Sequence, residues 1–321
     1  MKTLVVGGTS FVGRAISLAL LRQGNDVTVI NRGVTANDLP VEVERLVGDR
    51  TRDLSALNGR AFDATIDVTA FRPSDVDRLA AAIGDAGHYL QISSISAYRD
   101  PAHHGATEDD AETWAGDGLD LDAPITGETY GPLKAAAERA GRSHFGDATA
   151  IVRPTYVIGA HDATLRFPYW VQRARRGGVV AVPGPRESSM QYIDARDLAN
   201  FVVGLVTNAT TGDFHVAGPN PATTYVDLVE RVVAQVGPEG SSVEVVEPER
   251  VAALGWEAKF PLWSGGGDET VMAVSSAKAL SHGLFLRPLG DSVSEVLEWW
   301  GDRVWPERWL GEDDERRLLA G

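Results

Sequence analysis

A tyrosine and a lysine four residues apart are the strongest chemical signal in the sequence. Tyr130 and Lys134 lie in a segment with helical spacing, so both side chains project from one face of a helix. A phenol with a pKa of about 10 is a poor base at neutral pH, but an adjacent ammonium group favours its ionised form. The pair therefore predicts proton transfer by Tyr130.

A substrate oxygen that exchanges a proton with Tyr130 also needs a hydroxyl group to polarise it. Ser94 is the best candidate, with Ser93 and Ser96 as alternatives, because all three follow the predicted strand from His88 to Ile92. The Tyr-x-x-x-Lys pattern alone is common on amphipathic helices, whereas its combination with these serines and a glycine-rich corner is specific. The predicted catalytic residues are Ser94, Tyr130 and Lys134.

The glycine-rich corner follows the first predicted strand, Lys2 to Val6, and reads Gly7-Gly8-Thr9-Ser10-Phe11-Val12-Gly13. A strand, such a corner and a helix form the first unit of a dinucleotide-binding fold. Glycine lets the backbone approach a pyrophosphate, and the helix directs unpaired N–H groups at that charge. Ser10 replaces the usual middle glycine. The alternative is a glycine-containing turn in an α/β protein that binds no nucleotide.

The residues after the second strand distinguish NAD sites from NADP sites. NAD sites usually hold an acid there, whereas Asn31-Arg32-Gly33 follows the predicted strand from Asp26 to Ile30. Arginine pairs with a 2′-phosphate, so NADP is expected to bind better than NAD; the alternative is a solvated loop arginine. Asp49, after a third predicted strand from Val41 to Val47, is placed to accept from the adenine amino group. The predicted cofactor-binding residues are Gly7, Thr9, Ser10, Phe11, Val12, Gly13, Asn31, Arg32, Asp49, Arg50, Val68, Thr69, Ala70, Lys134 and Pro154.

Strands and helices alternate along the chain, which predicts an α/β fold with a Rossmann-type, doubly wound parallel sheet of about seven strands. The later strands are predicted at Phe62 to Asp67, His88 to Ile92, Ala148 to Arg153 and Asp213 to Ala217. The NAD(P)-binding domain is expected over residues 1–158, with 192–218 returning to it. A smaller C-terminal α/β substrate lobe is expected over 159–191 and 219–321.

Three further stretches carry predictions of their own. From Arg99 to Thr129 the periodicity stops, which predicts a flap near the site; a solvated surface excursion is the alternative. The next helix is predicted to open at Tyr130, with Pro132 in its first turn. Arg173, Arg175 and Arg176 are expected to form a solvated helix face.

Composition restricts the function further. The 321 residues carry a formal net charge of −15, which disfavours nucleic-acid binding. The absence of cysteine excludes thiolate metal sites, and the histidines lack ligand spacing, so no metal is expected. No apolar run reaches membrane-spanning length and no export signal opens the sequence, so no membrane contact and a cytoplasmic location are expected.

These residues together resemble the extended short-chain dehydrogenase/reductases, also called the NAD-dependent epimerase/dehydratase family. The resemblance covers most of the chain and includes Gly7 to Gly13, Gly48-Asp49, Ser94, Tyr130 to Lys134, Val152-Arg153-Pro154 and Gln191 to Ala199. It implies a Rossmann domain, a smaller substrate lobe, a Ser/Thr-Tyr-Lys triad, tightly held NAD or NADP, and a homodimer.

Two departures concern the substrate. Sugar-nucleotide members of the family carry an asparagine and an arginine that contact the diphosphate, and the matching positions here are Tyr156 and Met190. Arg153 or Arg196 is placed to supply the missing contact with the diphosphate.

The opening Gly-Gly-Thr-x-Phe-x-Gly and Asn31-Arg32-Gly33 resemble an atypical branch of the family that includes chloroplast RNA-associated proteins, although the negative net charge argues against RNA binding here.

The sequence thus predicts an NAD(P)-dependent oxidoreductase that moves a hydride between nicotinamide and a secondary alcohol or ketone of a small-molecule substrate. One alternative is an epimerase or dehydratase that oxidises and re-reduces a sugar or sugar nucleotide. Another is a dinucleotide-binding regulator without turnover.

Overall fold

Strands and helices alternate through most of this computed structural model, which describes residues 1–34, 38–101, 103–116, 118–265, 272–303, 305 and 307–320. Within these ranges the strands are β1 (Lys2–Val6), β2 (Asp26–Asn31), β3 (Glu44–Val47), β4 (Ala64–Asp67), β5 (His88–Ile92), β6 (Tyr98–Pro101), β7 (Ala111–Thr113), β8 (Thr149–Pro154), β9 (Tyr156–Ile158), β10 (Val179–Pro183), β11 (Ser189–Asp194), β12 (Gly212–Val216), β13 (Gly218–Thr224) and β14 (Ser242–Val246). The helices are α1 (Phe11–Arg22), α2 (Pro73–Ala82), α3 (Gly127–Phe145), α4 (Arg166–Arg176), α5 (Ala195–Thr207), α6 (Tyr225–Val236), α7 (Pro248–Ala253), α8 (Ala277–Ser281), α9 (Leu289–Trp300) and α10 (Glu312–Ala320).

Seven parallel strands form the central sheet in the order β12-β8-β5-β4-β1-β2-β3, which confirms the predicted doubly wound sheet. The order reverses between β1 and β4, because β2 and β3 continue to one edge and β5, β8 and β12 to the other. In an open parallel sheet, ligands bind outside the carboxyl ends of the strands at such a reversal. This edge of the sheet is therefore where site residues are expected.

Amphipathic helices cover both faces of the sheet. Ile16, Ala19 and Leu20 recur at helical spacing on α1 and are buried with α5 residues such as Leu198 on one face. Leu79 of α2 is buried on the other face. A second apolar core, built from α4, α6 and α9, surrounds the fully buried Trp170. The site side chains thus project from elements that are packed on rigid cores.

Helix α3, which carries Tyr130 and Lys134, begins at Gly127, earlier than predicted. Thr126 and Thr129 cap it reciprocally: the amide of Thr129 donates to Oγ1 of Thr126 at 3.3 Å, and the amide of Thr126 donates to Oγ1 of Thr129 at 2.8 Å. The prediction that Pro132 lies in the first turn is wrong, since Pro132 is inside the helix. This cap adds a turn ahead of Tyr130.

The stretch from Arg99 to Thr129 is not structureless, although residues 102 and 117 lie outside the described part of the chain. β6 and β7 pair in an antiparallel hairpin. Further along, the guanidinium of Arg72 donates to the carbonyl oxygen of Ala123 at 2.6 Å and to that of Leu121 at 3.5 Å. We call residues 118–125 the strap, since Arg72 ties this segment to the start of α2.

The predicted solvated face of α4 is wrong for Arg173. Its side chain is 5% exposed and donates to Glu315 of α10 at 2.6 Å. The carbonyl oxygens of Gly177 and Val179 accept its remaining N–H groups. Arg173 of α4 thus contacts α10, which is far from it in the sequence. Local periodicity does not predict a contact between residues so far apart. No helix in the described ranges is long and apolar enough to cross a membrane.

Candidate functional site

The three predicted catalytic residues meet at the carboxyl end of β5. Ser94 follows this strand and its hydroxyl group is hydrogen-bonded to the phenol of Tyr130 on α3. One turn further along α3, the ammonium group of Lys134 donates to the carbonyl oxygens of Ile92 at 2.7 Å and Ala70 at 2.9 Å. The helix therefore presents a phenol and an ammonium group to the ends of β4 and β5.

Ser93 and Ser94 have different partners, which separates the two candidates. The hydroxyl group of Ser93 donates to the carboxylate of Glu138, away from Tyr130. Ser94 accepts from the amide of Ser96 at 3.2 Å and donates to its hydroxyl oxygen at 3.2 Å. Ser94 is therefore the hydroxyl group that is available beside Tyr130.

The pKa of Tyr130 is raised above its ordinary value, because burial disfavours the phenolate. The hydrogen bond with Ser94 and the positive charge of Arg166, at the start of α4, act in the opposite direction. The sequence-based expectation that Lys134 supplies this charge is not met. The ammonium group of Lys134 is instead turned to the carbonyl groups behind it.

Lys134 is almost fully buried, at 2% exposure, and burial lowers its pKa to about 8. The carboxylates of Asp67 and Glu138 oppose this shift. The ring centroid of Phe71 lies 5.0 Å from Nζ, which adds a cation–π contact. The ammonium group of Lys134 therefore loses its proton closer to neutral pH than the side chain of an exposed lysine does.

A cavity of about 530 Å³ opens beside these residues at the reversal of strand order. The ring centroid of Phe71, one of its lining residues, is 6.3 Å from that of Tyr130. Eight predicted cofactor-binding residues line the cavity: Gly7, Thr9, Ser10, Asn31, Arg32, Asp49, Arg50 and Thr69. The other seven, Phe11, Val12, Gly13, Val68, Ala70, Lys134 and Pro154, are not among the residues that line it.

The glycine corner has the close packing that a phosphate-binding turn needs. Gly7 has a φ of +85°, and a Cβ atom on Gly13 would lie 2.1 Å from the carbonyl oxygen of Gly7. α1 therefore starts directly above the end of β1. The side chain of Ser10, the N-cap of α1, accepts no hydrogen bond from the first turn, so that turn remains available for an anion. These features fit a dinucleotide in the cavity.

Asn31 and Asp49 shape the far end of the cavity. Oδ1 of Asn31 accepts from the amide of Gly33 at 2.7 Å, which fixes the turn after β2. Asp49 accepts from the hydroxyl group of Thr51 at 2.7 Å and from its amide at 2.9 Å, and these bonds hold the pKa of Asp49 below its usual range. The carboxylate of Asp49 therefore stays ionised at neutral pH.

The guanidinium group of Arg50 is bonded to neighbouring side chains and is not left free in the cavity. Its guanidinium group donates to both carboxylate oxygens of Asp67, at 2.5 and 2.9 Å, and to the hydroxyl group of Thr69 at 2.9 Å. Asp75 lies 3.6 Å from Nε. The sequence analysis did not identify Asp67 or Asp75 as partners, since neither is near Arg50 in the chain.

Four arginines and three aspartates, Asp49, Asp75 and Asp122, line this cavity. Besides Arg50, it is lined by Arg32, Arg72 and Arg78, and among the described residues no carboxylate lies within 4 Å of these three guanidinium groups. Asp122 and Ile125 of the strap line it as well. The strap belongs to the stretch from Arg99 to Thr129 that was predicted to be a flap near the site, whereas Arg72, the N-cap of α2, and Arg78, within α2, were not predicted because no recognisable motif contains them.

The positions that match the family's diphosphate contacts offer little charge. Met190 is buried on β11, and Tyr156 is half-buried on β9. Arg153 pairs with Glu138 at 2.6 Å, and Arg196 pairs with Asp194 at 2.8 Å, so neither compensates. In the described part of the chain, no group of three His, Asp or Glu side chains is placed to hold a metal ion.

Comparison with known proteins agrees with this geometry. Residues 74–217 match the model of the NAD dependent epimerase/dehydratase family, which confirms the resemblance predicted from the sequence. The chain is 25% identical over 255 residues to the chloroplast stem-loop binding protein of 41 kDa b from Arabidopsis thaliana. That match covers 74% of this chain but only 63% of the relative.

Solved epimerase structures share the fold at low sequence identity. A UDP-glucose 4-epimerase has a TM-score of 0.69 and 17% identity, with 97% of this chain and 100% of that chain covered. UDP-glucuronic acid 4-epimerase from Bacillus cereus, solved in complex with NAD, has a TM-score of 0.65 and 14% identity, with 93% and 98% covered. At these identities the likeness establishes the fold.

Proposed function

We propose that this chain is an NAD(P)-dependent redox enzyme that acts on a carbon bearing a hydroxyl or carbonyl group of a small molecule. One observation carries the proposal: Ser94 and Tyr130 are hydrogen-bonded to each other beside a cavity that fits a dinucleotide. A bound NAD or NADP supplies a nicotinamide ring that accepts or returns a hydride. The chain's own residues then handle the proton and the substrate oxygen.

Ser94 donates a hydrogen bond to the substrate oxygen, which stabilises the charge that develops there. Tyr130 takes the hydroxyl proton when the alcohol is oxidised and returns a proton when the carbonyl is reduced. The positive charge of Arg166 favours the phenolate that accepts this proton. Lys134 lies on the same helix face, but its ammonium group donates to the carbonyl oxygens of Ala70 and Ile92, so holding the ribose hydroxyl groups of the cofactor requires that group to turn toward the cavity.

We favour the epimerase or dehydratase type of reaction, in which the hydride returns to the same substrate molecule. The family model supports it, and so do the neighbours that are named as 4-epimerases. NAD as the cofactor is supported by the neighbour solved with NAD. In this form the enzyme consumes no cofactor over a complete cycle.

A reductase that uses external cofactor is the second candidate. Met190 and Tyr156 provide few partners for a diphosphate, and Arg153 and Arg196 are already paired. Burying an unpaired diphosphate would be costly, so this site favours a smaller or less charged substrate. Arg32, Arg72 and Arg78 support NADP as its cofactor, because NADP brings an additional phosphate toward three guanidinium groups that have no carboxylate within 4 Å in the described part of the chain.

The net charge of −15 supports a site for small molecules rather than nucleic acid, in contrast to the stem-loop binding relative. A regulator that binds a dinucleotide without turnover would need the cavity but not the phenol beside it. A homodimer stays a prediction.

The test begins with mass spectrometry of small molecules retained by the purified protein. The protein is then incubated with UDP-sugars and, separately, with NADPH and a panel of ketones. Conversion of a sugar nucleotide without net cofactor change supports the epimerase, and oxidation of NADPH supports the reductase. Failure of both NAD and NADP to bind would contradict the proposal.

A further inference from the structure

Three consecutive residues at the end of β5 each bond to one of three residues spaced four apart on α3. The first contact uses a backbone carbonyl group, and the other two use serine hydroxyl groups. The pairs are Ile92 with Lys134 at 2.7 Å, Ser93 with Glu138, and Ser94 with Tyr130. Ser93 is the middle residue of the three at the end of β5, and its partner Glu138 is the last of the three along α3; this middle pair contains no proposed catalytic group, whereas the outer two pairs do.

We propose that Glu138 is a positioning residue: through Ser93 it fixes the end of β5 against α3 and so sets the separation of Ser94, Tyr130 and Lys134. This inference rests on the proposed function for its catalytic meaning. Its structural content, that the middle pair holds the outer two in place, is testable without turnover.

Glu138 is itself held rigidly enough for this role. Its carboxylate is 3% exposed and accepts from Nε of Arg153 at 2.9 Å and from Nη2 at 2.6 Å. Arg153 belongs to β8, the strand next to β5 in the sheet. A two-point bond between a guanidinium group and a carboxylate restricts both distance and angle. The Glu138 carboxylate is therefore fixed relative to the sheet, not only relative to α3.

The other bonds of Arg153 extend this support. Nη1 donates to the hydroxyl oxygen of Tyr98 at 2.8 Å, and Nη2 lies 2.9 Å from Asp213 of β12. The hydroxyl group of Tyr98 lies 2.7 Å from Nε2 of His215, also on β12. The network thus joins α3 to three neighbouring strands: β5, β8 and β12.

The pair of Ser94 and Tyr130 cannot provide the same restraint during a reaction. Tyr130 must gain and lose a proton, and Ser94 must redirect its hydroxyl group to a substrate, so their mutual bond changes in each cycle. The bond between Ser93 and Glu138 takes no part in those steps. Reacting groups that are displaced by about 1 Å can lose 10²-fold in rate, so a fixed middle contact has a direct catalytic value.

The ammonium group of Lys134 provides the measurement. The chain has only four lysines, Lys2, Lys134, Lys259 and Lys278, so ¹³Cε-lysine NMR of the full chain resolves each titration. Burial places the pKa of Lys134 at about 8. The charges that act on Lys134 are Asp67 at the end of β4, Asp75 of α2, Glu138 of α3 and Arg50 after β3.

Ser93→Ala removes the middle bond and leaves all four charges in place. If this bond fixes the strand end, its loss loosens the packing and admits water to Lys134. The pKa of Lys134 is then expected to rise by about one unit toward its ordinary value. Glu138→Gln removes a charge that favours the ammonium form, so it is expected to lower the same pKa.

Ser292→Ala is the matched control. Ser292 is a buried serine on α9 whose hydroxyl group donates to the buried carboxylate of Asp194 at 2.5 Å, so the variant loses the same kind of bond elsewhere. We expect a lower Tm in both serine variants, with the pKa of Lys134 unchanged only in Ser292→Ala. A pKa that stays near 8 in Ser93→Ala, or that moves equally in Ser292→Ala, overturns the inference.

The two proposals fail in different ways. The positioning role of Glu138 is contradicted by the NMR titration, which needs neither cofactor nor substrate. The proposed function is contradicted by a lack of cofactor binding and turnover. If Glu138→Gln does not fold, the comparison of Ser93→Ala with Ser292→Ala decides alone.

Discussion

The guanidinium group of Arg50 forms a two-point ion pair with the carboxylate of Asp67, with N–O distances of 2.5 and 2.9 Å. The pair joins the loop after β3 to the end of β4 directly below the cavity. The side chain of Asp67 is fully buried and that of Arg50 is 10% exposed, so neither charge is well solvated. The floor of the proposed cofactor site therefore depends on a pair of charges that must remain together.

Removing one member of this pair should destabilise the fold strongly. Arg50→Met leaves the buried carboxylate of Asp67 without its main partner, and we expect a loss of about 3–5 kcal/mol in the free energy of unfolding. Urea denaturation measures it. Arg186→Ala, which breaks an exposed pair with Glu230, should cost less than about 1 kcal/mol. A similar small loss for Arg50→Met would show that water compensates Asp67.

Tyr130→Phe should keep the fold and cofactor binding while lowering turnover by about 10²-fold or more, because a positioned acid/base is removed. Turnover is measured on the substrate found by the screen, and cofactor binding by fluorescence titration with NADH and NADPH. Tyr225→Phe is the control, since Tyr225 is buried in the second lobe and donates to the carbonyl oxygen of Pro261. Near-wild-type turnover of Tyr130→Phe would remove Tyr130 from the mechanism.

Arg32→Asp should reverse the order of cofactor affinities. This prediction belongs to the reductase candidate, for which NADP is expected to bind the wild type more tightly than NAD, because Arg32 faces the cavity without a carboxylate partner among the described residues. The aspartate removes a phosphate partner and adds repulsion. Titration with both cofactors measures the ratio. Arg22→Asp makes the same charge change on the exposed end of α1 and should leave the ratio unchanged; a wild-type preference for NAD would defeat the prediction.

The pH dependence of stability should report the burial of Lys134. Its folded pKa of about 8 lies below its ordinary value of 10.5, so the unfolded chain binds more protons between these two values. The free energy of unfolding therefore gains a contribution that rises with pH over this interval. Lys134→Met lacks it, and the difference in unfolding free energy between wild type and variant should shift in favour of the wild type from pH 7.5 to 9.5. A flat difference would place the folded pKa near its ordinary value.

Local sequence patterns determined much of this protein. Strand β1 over Lys2 to Val6 and strand β5 over His88 to Ile92 have the predicted bounds, because hydrophobic periodicity acts over a few neighbouring residues. The order of the glycine corner, the serines and the Tyr-Lys pair predicted their meeting at one edge of the sheet, since the carboxyl ends of parallel strands share that edge. The helix α3 was predicted to begin too late, because its threonine cap precedes the apolar pattern.

The partners of the buried charges were decided only by the tertiary structure. Arg50 and Asp67 are 17 residues apart, and Arg173 and Glu315 are 142 apart, so no local spacing relates them. The same holds for Ser93, one of the alternatives to Ser94 as the predicted catalytic hydroxyl group, which is bonded to a carboxylate 45 residues away. A charge or hydroxyl group that is removed from water on folding needs an ionic or hydrogen-bonding partner. The packing of the fold determines which residue that partner is, because the two residues are not neighbours in the chain.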